Sequence, residues 1–236
     1  MPTPSSLEHW YLETVSGRRR GLLPSLTRGA LTIVSWGYGL GVWVRELVYA
    51  WGLIRPLRVP ARVISVGNLT MGGTGKTPAV IALAEQHRAR ERVAILIRGH
   101  GGERLEGVNV VHDGQRELLP VSVAGDEAVL LARRLGDIPV LAGKDRRLTA
   151  QAAVDRFGAT LLILDDGFQY RRLAVDHQIV LVDATQPWGL GGLFPAGTRR
   201  DPLAAFARAD EVWLTRCDHP AAHDLDAVEA RLRRLA

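Results

Sequence analysis

The stretch from Arg62 to His87, "RVISVGNLTMGGTGKTPAVIALAEQH", constrains the fold more than any other part of the chain. "RVISVG" (62–67) is a short β-branched and aliphatic run that reads as a buried strand. "KTPAVIALAEQHRAR" (76–90) reads as a helix. Between them Gly72, Gly73 and Gly75 give a turn at a helix N-terminus, where backbone N–H groups and the helix dipole converge on an anion. Gly75-Lys76-Thr77 match the end of the phosphate loop G-x-x-x-x-G-K-[ST], in which the lysine reaches the β/γ phosphates and the hydroxyl a magnesium ion. The first glycine of that pattern is replaced by Thr70.

The rest of the chain repeats the strand–helix rhythm. Apolar runs at 92–99, 138–143, 160–166, 178–184 and 211–217 read as strands, and 126–136, 145–157, 203–209 and 221–235 as helices. Continuously apolar strands separated by helices indicate a mostly parallel sheet covered on both faces. Residues 103–120 break the rhythm, as a hairpin or an irregular excursion. The expected architecture is α/β, a P-loop NTPase-like sheet flanked by helices. The proline-punctuated "RPLRVPAR" separates an N-terminal segment, 1–59, from a core domain, 60–236.

A phosphate loop needs an acidic residue at the end of another strand to hold the magnesium shell. "LLILDDGFQ" supplies Asp165 and Asp166, where a strand would emerge at the ligand-binding edge of such a sheet. The bland alternative for "DDG" is a turn. A further acidic pair, Asp126-Glu127 in "AGDEAVLLARR", opens a helix, where an aspartate is ordinarily a cap.

Composition bears on partners and place. The net charge is +5, carried by 28 arginines and only two lysines, Lys76 and Lys144. That skew is what codon bias toward arginine produces, and no nucleic-acid partner is expected from it. It does single out both lysines as candidates for sites that need a compact ammonium, although Lys144 also reads as a solvated helix start. One cysteine, Cys217, excludes an internal disulfide and suits a reducing cytoplasm. No secretory signal is read at the N-terminus. The uncharged run "GALTIVSWGYGLGVWV" (29–44) falls short of the roughly 20 apolar residues of a spanning helix. With Trp36, Trp43, Trp51 and nearby arginines, it reads as a helix lying in a membrane interface, or else as one packed on the domain.

Set end to end, "VISVGNLTMGGTGKTP", "IRGHGG", "AGDEAVLLARR", "AGKDRRLTA", "LLILDDGFQYRRLAVD", "IVLVDA" and "LFPAGTRRDPL" resemble the lipid A tetraacyldisaccharide 4′-kinase family in content and order. The resemblance implies transfer of the ATP γ-phosphate to the 4′-hydroxyl of a lipid-linked glucosamine disaccharide. It places the reaction at the cytoplasmic face of the bacterial inner membrane, with the N-terminal helix reaching toward the lipid A disaccharide precursor. Carried onto this sequence, it makes Thr70, Met71, Gly72, Gly73, Thr74, Gly75, Lys76 and Thr77 the ATP cradle. A Ser or Thr at the Thr70 position is usual in the family. Thr77, Asp165 and Glu127 are then expected around Mg2+, and Asp166 beside the metal and ATP. Asp126 is expected as the base that activates the acceptor hydroxyl, and Arg98 as a contact to phosphate or substrate.

Three departures accompany the resemblance. His100 and Tyr170 stand where the family more often has Tyr and His. The family also continues into a second domain, which supplies a histidine paired with the catalytic aspartate; only nineteen residues follow Cys217 here. His219 and His223, four apart, could bind metal, but a polar helix is the readier interpretation. Two functions therefore stay open, a kinase in full or shortened form and a non-catalytic, membrane-associated nucleotide-binding module. A partitioning-type ATPase ranks last, since such loops carry an extra lysine near the position of Met71.

Overall fold

The structure, a computed structural model, describes residues 6–99 and 107–235. His100 and the rest of "HGG", with the start of the 103–120 segment, lie outside the described residues. Seven strands form one sheet: β1 (Arg62–Asn68), β2 (Val93–Ile97), β3 (Asn109–His112), β4 (Val140–Ala142), β5 (Leu161–Asp165), β6 (His177–Asp183) and β7 (Glu211–Thr215). Their order is β3-β4-β2-β5-β1-β6-β7, and every pairing is parallel except β3 with β4 at one edge. All six strands expected from the apolar runs are present. The seventh, β3, is half of a tight hairpin: His112 bridges Glu117 across a turn in which Asp113 accepts the backbone N–H groups of Gln115 and Arg116.

The helices are α1 (Ser6–Val15), α2 (Leu22–Ala50), α3 (Lys76–His87), α4 (Val121–Ala124), α5 (Asp126–Leu135), α6 (Arg146–Phe157) and α7 (Leu225–Leu232). Two expected helices differ from their sequence limits. Residues 203–209 form a 3-10 turn, Leu203–Arg208, and the C-terminal helix starts only at Leu225, where Asp224 caps it by accepting from the N–H groups of Asp226 and Ala227. On one face of the sheet, Val80, Leu83 and Ala84 of α3 and Val129, Ala132 and Leu135 of α5 pack on Ile64, Val66, Ile95 and Ile163. On the other, Ala150 and Ala153 of α6 meet Val63, Ala94, Leu96, Leu162 and Leu164. Adjacent residues of one strand thus feed opposite cores, and for this reason the strands are apolar without alternation.

Helix α2 inverts that logic. Its inward row, Ser35, Tyr38, Val42, Arg45, Glu46 and Tyr49, follows helical spacing and contains one apolar residue. Ser35 and Tyr38 donate to the carbonyls of Leu193 and Arg200, Arg45 pairs with the fully buried Asp201, and Glu46 with Arg171. Its outward side exposes Leu22, Leu23, Leu26, Ile33, Val34, Trp36, Leu40, Trp43 and Val44. No helix among the described residues is long and apolar enough to cross a membrane.

Candidate active site

The loop from Asn68 to Pro78 sits where β1 ends, and β1 lies beside β5 with Val66 opposite Asp165. That register brings the phosphate loop and the "DDG" turn to one point at the C-terminal edge of the sheet. The approach is close: a Cβ on Gly67 would lie 2.5 Å from Phe168 Cβ, so only glycine fits there. Gly75 begins α3 in the left-handed region, at φ 82°, and turns the first N–H groups of the helix toward the cleft. Thr70 needs no such freedom. It pairs as an antiparallel bridge with Arg199, and the next N–H, from Met71, donates to the Thr198 carbonyl at 2.7 Å. The glycine missing from the motif is replaced by a residue that anchors the loop to a neighbouring strand-like segment.

Inside the loop, the buried amide of Asn68 donates to the Thr70 carbonyl (2.6 Å) and the Thr74 hydroxyl (2.9 Å), and its Oδ1 accepts from Lys76 Nζ (3.3 Å). Thr215, at the end of β7, donates to the Thr74 carbonyl, and Arg216 to the Gly73 carbonyl. The loop is therefore held by Asn68, by Thr215 and Arg216, and by the Thr198–Arg199 segment.

A cleft of about 1130 Å3 opens over the loop. Its walls include Met71 through Pro78, Arg98, Asp126, Glu127, Asp165 and Asp166, so every site residue expected from the sequence lines it except Thr70, which anchors the loop from behind. The two adjacent aspartates have opposite environments. Asp165 is 3% exposed and its Oδ1 has no hydrogen-bond partner among the described residues. Burial pushes its carboxyl up to about 6, with Glu127 and Asp166 adding to the rise and Lys76 and Arg146 opposing it. Asp166 adopts φ 54°, rare for a non-glycine residue, which turns its side chain toward Lys76 Nζ (3.5 Å) and Arg200 (2.8 and 3.0 Å). Burial opposes its ionisation, yet Lys76 and then Arg200 hold it below the usual carboxylate range.

An orphaned, buried carboxylate oxygen beside a phosphate loop fits a divalent cation. Thr77, Asp165 and Glu127 all line that part of the cleft. Among the described residues no three His, Cys, Asp or Glu side chains form a self-contained metal cage. A magnesium ion needs none, since it takes most of its shell from phosphates and water with one or two carboxylates. His219 and His223 are exposed, sit before α7 rather than in a helix, and do not line the cleft.

Asp126 is the first residue of α5 but not its cap. Gly125 holds the cap position, and the Asp126 carboxylate, exposed in the cleft, accepts among the described residues only the N–H of Glu127 (3.0 Å). Arg98 is exposed on the rim.

Several cleft residues were not singled out from the sequence. Arg146 is 2% exposed, has an Nε with no partner among the described residues, and lies over the Tyr170 ring; burial and then Arg98 pull its guanidinium down to about 10. Segment 193–201 ties the site together. Arg200 grips Asp166 and donates its N–H to Leu69, while Asp201 binds Arg45 and Gln169. The motif strings "AGKDRRLTA" and "LFPAGTRRDPL" contain these residues, but their partners lie far along the chain, Tyr170 for Arg146 and residues 32 to 162 positions away for Arg200 and Asp201, and give no local signal.

A family model described as Tetraacyldisaccharide-1-P 4′-kinase, LpxK, matches residues 27–235. The chain is 43% identical over 224 residues to the tetraacyldisaccharide 4′-kinase of Anaeromyxobacter dehalogenans strain 2CP-C, covering 94% of this chain and 59% of that one. It is 50% identical over 187 residues to the tetraacyldisaccharide 4′-kinase of Syntrophus aciditrophicus, covering 78% of this chain and 50% of that one. Among solved structures it is similar to LpxK from Aquifex aeolicus in complex with ATP, with TM-score 0.77 and 34% identity over 84% of this chain and 62% of that chain. The chain thus spans about three fifths of the length of the Anaeromyxobacter relative.

Proposed function

The chain belongs to the tetraacyldisaccharide-1-phosphate 4′-kinase family, and from that premise we propose that it transfers the γ-phosphate of ATP to the 4′-hydroxyl of a tetraacyldisaccharide 1-phosphate, in lipid A biosynthesis. The observation that carries this reading is the convergence of Lys76, the orphaned carboxylate of Asp165 and the free-facing carboxylate of Asp126 in one cleft.

The loop N–H groups and Lys76 bind the β- and γ-phosphates. Lys76, which rests on Asp166 and Asn68, exchanges part of that pairing for phosphate oxygens. A magnesium ion held by Thr77, Asp165 and Glu127 would supply further charge neutralisation between the phosphates when bound. Asp126 accepts the proton of the acceptor hydroxyl as its oxygen bonds to the γ-phosphorus. The bridging bond to the β-phosphate breaks and ADP leaves. In phosphoryl transfer the protein chiefly positions groups and neutralises charge, and this cleft is built for both. Arg98, Arg146 and Arg200 add positive charge around the transferred group.

Residues 60–236 form the kinase core in this reading, and 1–59 a membrane-associating segment. The outward leucines, valines and tryptophans of α2 lie in the cytoplasmic face of the bacterial inner membrane, with the polar inward row over the cleft, so that a lipid-anchored sugar meets the phosphate loop at the interface.

The test is transfer of labelled phosphate from ATP to tetraacyldisaccharide 1-phosphate in mixed micelles containing Mg2+. Product carrying a new 4′-phosphate is expected, and loss of it in Asp126→Ala. ATP binding with no transfer would leave the chain as a nucleotide-binding module.

A further inference from the structure

Asn68 closes β1 at the base of the phosphate loop and is 0% exposed. The two N–H groups of its amide reach the Thr70 carbonyl and the Thr74 hydroxyl, and its Oδ1 accepts from Lys76 Nζ. That assignment is fixed by the partners. A carbonyl can only accept and an ammonium can only donate, so a flipped amide would set acceptor against acceptor and donor against donor. The backbone behind it is pinned too: the Gln169 amide donates both to the Asn68 carbonyl (2.9 Å) and to the buried carboxylate of Asp201 (2.8 Å).

Holding the loop together uses only the nitrogen of this amide; its oxygen does something else. An ammonium has three N–H donors. Lys76 turns toward Asp166 on one side (3.5 Å) and toward Asn68 on another (3.3 Å), and it lines the cleft, where a donor is left for an incoming anion. The two partners differ in kind. Asp166 is a carboxylate that Arg200 also grips, at 2.8 and 3.0 Å. Asn68 is neutral, so it fixes the ammonium in place without cancelling the charge that a phosphate needs.

Resting on the reading that this loop holds the β- and γ-phosphates of ATP, we propose that Asn68 is the positioning residue of Lys76, a neutral acceptor that keeps the ammonium over the phosphate site when Asp166 gives it up. Asn68 acts through Lys76 and touches no phosphate itself. With an apolar side chain at this position, Lys76 falls back on Asp166. With a carboxylate there, it sits between two anions, and its attraction for phosphate is largely cancelled. Asparagine supplies the acceptor, the two donors and no charge.

Equilibrium nucleotide binding, with no acceptor added, tests this apart from phosphate transfer. The probes are ATP and AMP, against wild type, Lys76→Ala, Asn68→Ala, the isosteric Asn68→Leu, and each of these two Asn68 variants combined with Lys76→Ala. In the wild-type background Asn68→Ala and Asn68→Leu are expected to weaken ATP binding by about tenfold or more, the scale of one hydrogen bond to a charged group. In the Lys76→Ala background the same substitutions should cost about twofold or less, because no ammonium remains to be placed. AMP, which offers Lys76 no β- or γ-phosphate, should bind all of them alike. Equal losses in the two backgrounds, or a parallel loss of AMP, would mean that Asn68 only holds the loop together, and overturn the proposal. Asn68→Asp keeps the size and the acceptor but adds a charge. It should weaken ATP at least as much as Asn68→Leu, and wild-type affinity in that variant overturns the need for a neutral group. The expected binding pattern without phosphate transfer supports the positioning role and removes the kinase reading; transfer with equal losses in both backgrounds does the reverse.

Discussion

Helices α2 and α3 both border the active cleft, and they obey opposite rules. Helix α3 buries Ala79, Val80, Leu83 and Ala84 against the sheet and turns its polar residues outward, as a helix in water does. Helix α2 buries a serine and a valine, directs tyrosines, Arg45 and Glu46 inward, and leaves Leu22, Leu23, Leu26, Leu40, Trp36 and Trp43 outside. The difference teaches where each helix gets its stability. For α3 it comes from the hydrophobic core. For α2 it comes from hydrogen bonds and ion pairs to segment 193–201 and to Arg171, while the outer face leaves large apolar side chains exposed.

The largest effect should come from the end of α3 that faces the cleft. Lys76→Ala is expected to lower phosphate transfer by about 10²–10³-fold, the scale of removing one preorganised electrostatic group, with little change in melting temperature. Steady-state transfer kinetics and a thermal melt check this. A melt that falls with the rate would mean that Lys76 acts through folding.

The body of α3 and the outer face of α2 should then separate cleanly. Leu83→Ala removes a buried side chain and should cost about 2–5 kcal/mol in urea unfolding. Trp36→Ala with Trp43→Ala, at residues 70% and 58% exposed, should stay within about 0.5 kcal/mol each of wild type. The tryptophan pair should instead weaken vesicle flotation. If it destabilises the soluble protein as Leu83→Ala does, the two helices do not differ as described.

On the inner face of α2, Arg45→Gln leaves the buried carboxylate of Asp201 with the Gln169 amide at 2.8 Å and Arg208 at 3.9 Å. A loss of about 1–3 kcal/mol is expected, the range for a hydrogen bond to a charged group. Urea unfolding measures it, and no loss would show that α2 is held by something other than its polar row.

Helix α6 gives the smallest effect and a pH signature. Its cap, Asp145, is held below the usual carboxylate range chiefly by hydrogen bonds from Arg147, joined by Tyr170 and opposed by burial. A depressed folded-state value stabilises the protein above the unfolded value of about 3.9, and that contribution is lost as pH falls through the folded one. Asparagine caps helices as well as aspartate, so Asp145→Asn isolates the charge. The variant should melt slightly below wild type at pH 7, by less than about 1 kcal/mol for so accessible a pair, and the gap should close on acidification. A gap that widened toward low pH would contradict the assignment.

The phosphate loop, the six apolar strands and the acidic pairs at strand and helix ends were legible because each is written in a dozen contiguous residues. The strand-like pairing of Thr70 with Arg199 was not, nor which side of α2 packs on the domain: the tryptophan-rich run read first as an interfacial helix and only second as a packed one, and nothing local marked Ser35, Tyr38 and Arg45 as its inward residues.

By itself the sequence determined a parallel α/β sheet with a phosphate cradle at the tip of β1, because backbone conformation and strand burial follow from local residue pattern. Only the tertiary structure decided that Asp165 would be buried, with its Oδ1 unpartnered among the described residues, while its neighbour Asp166 is turned, at φ 54°, onto Lys76 and Arg200. The same holds for segment 193–201, which joins α2, the loop and the aspartates. The physical reason is that a carboxylate's charge state depends on which cations and how much water surround it, and here those cations come from distant parts of the chain.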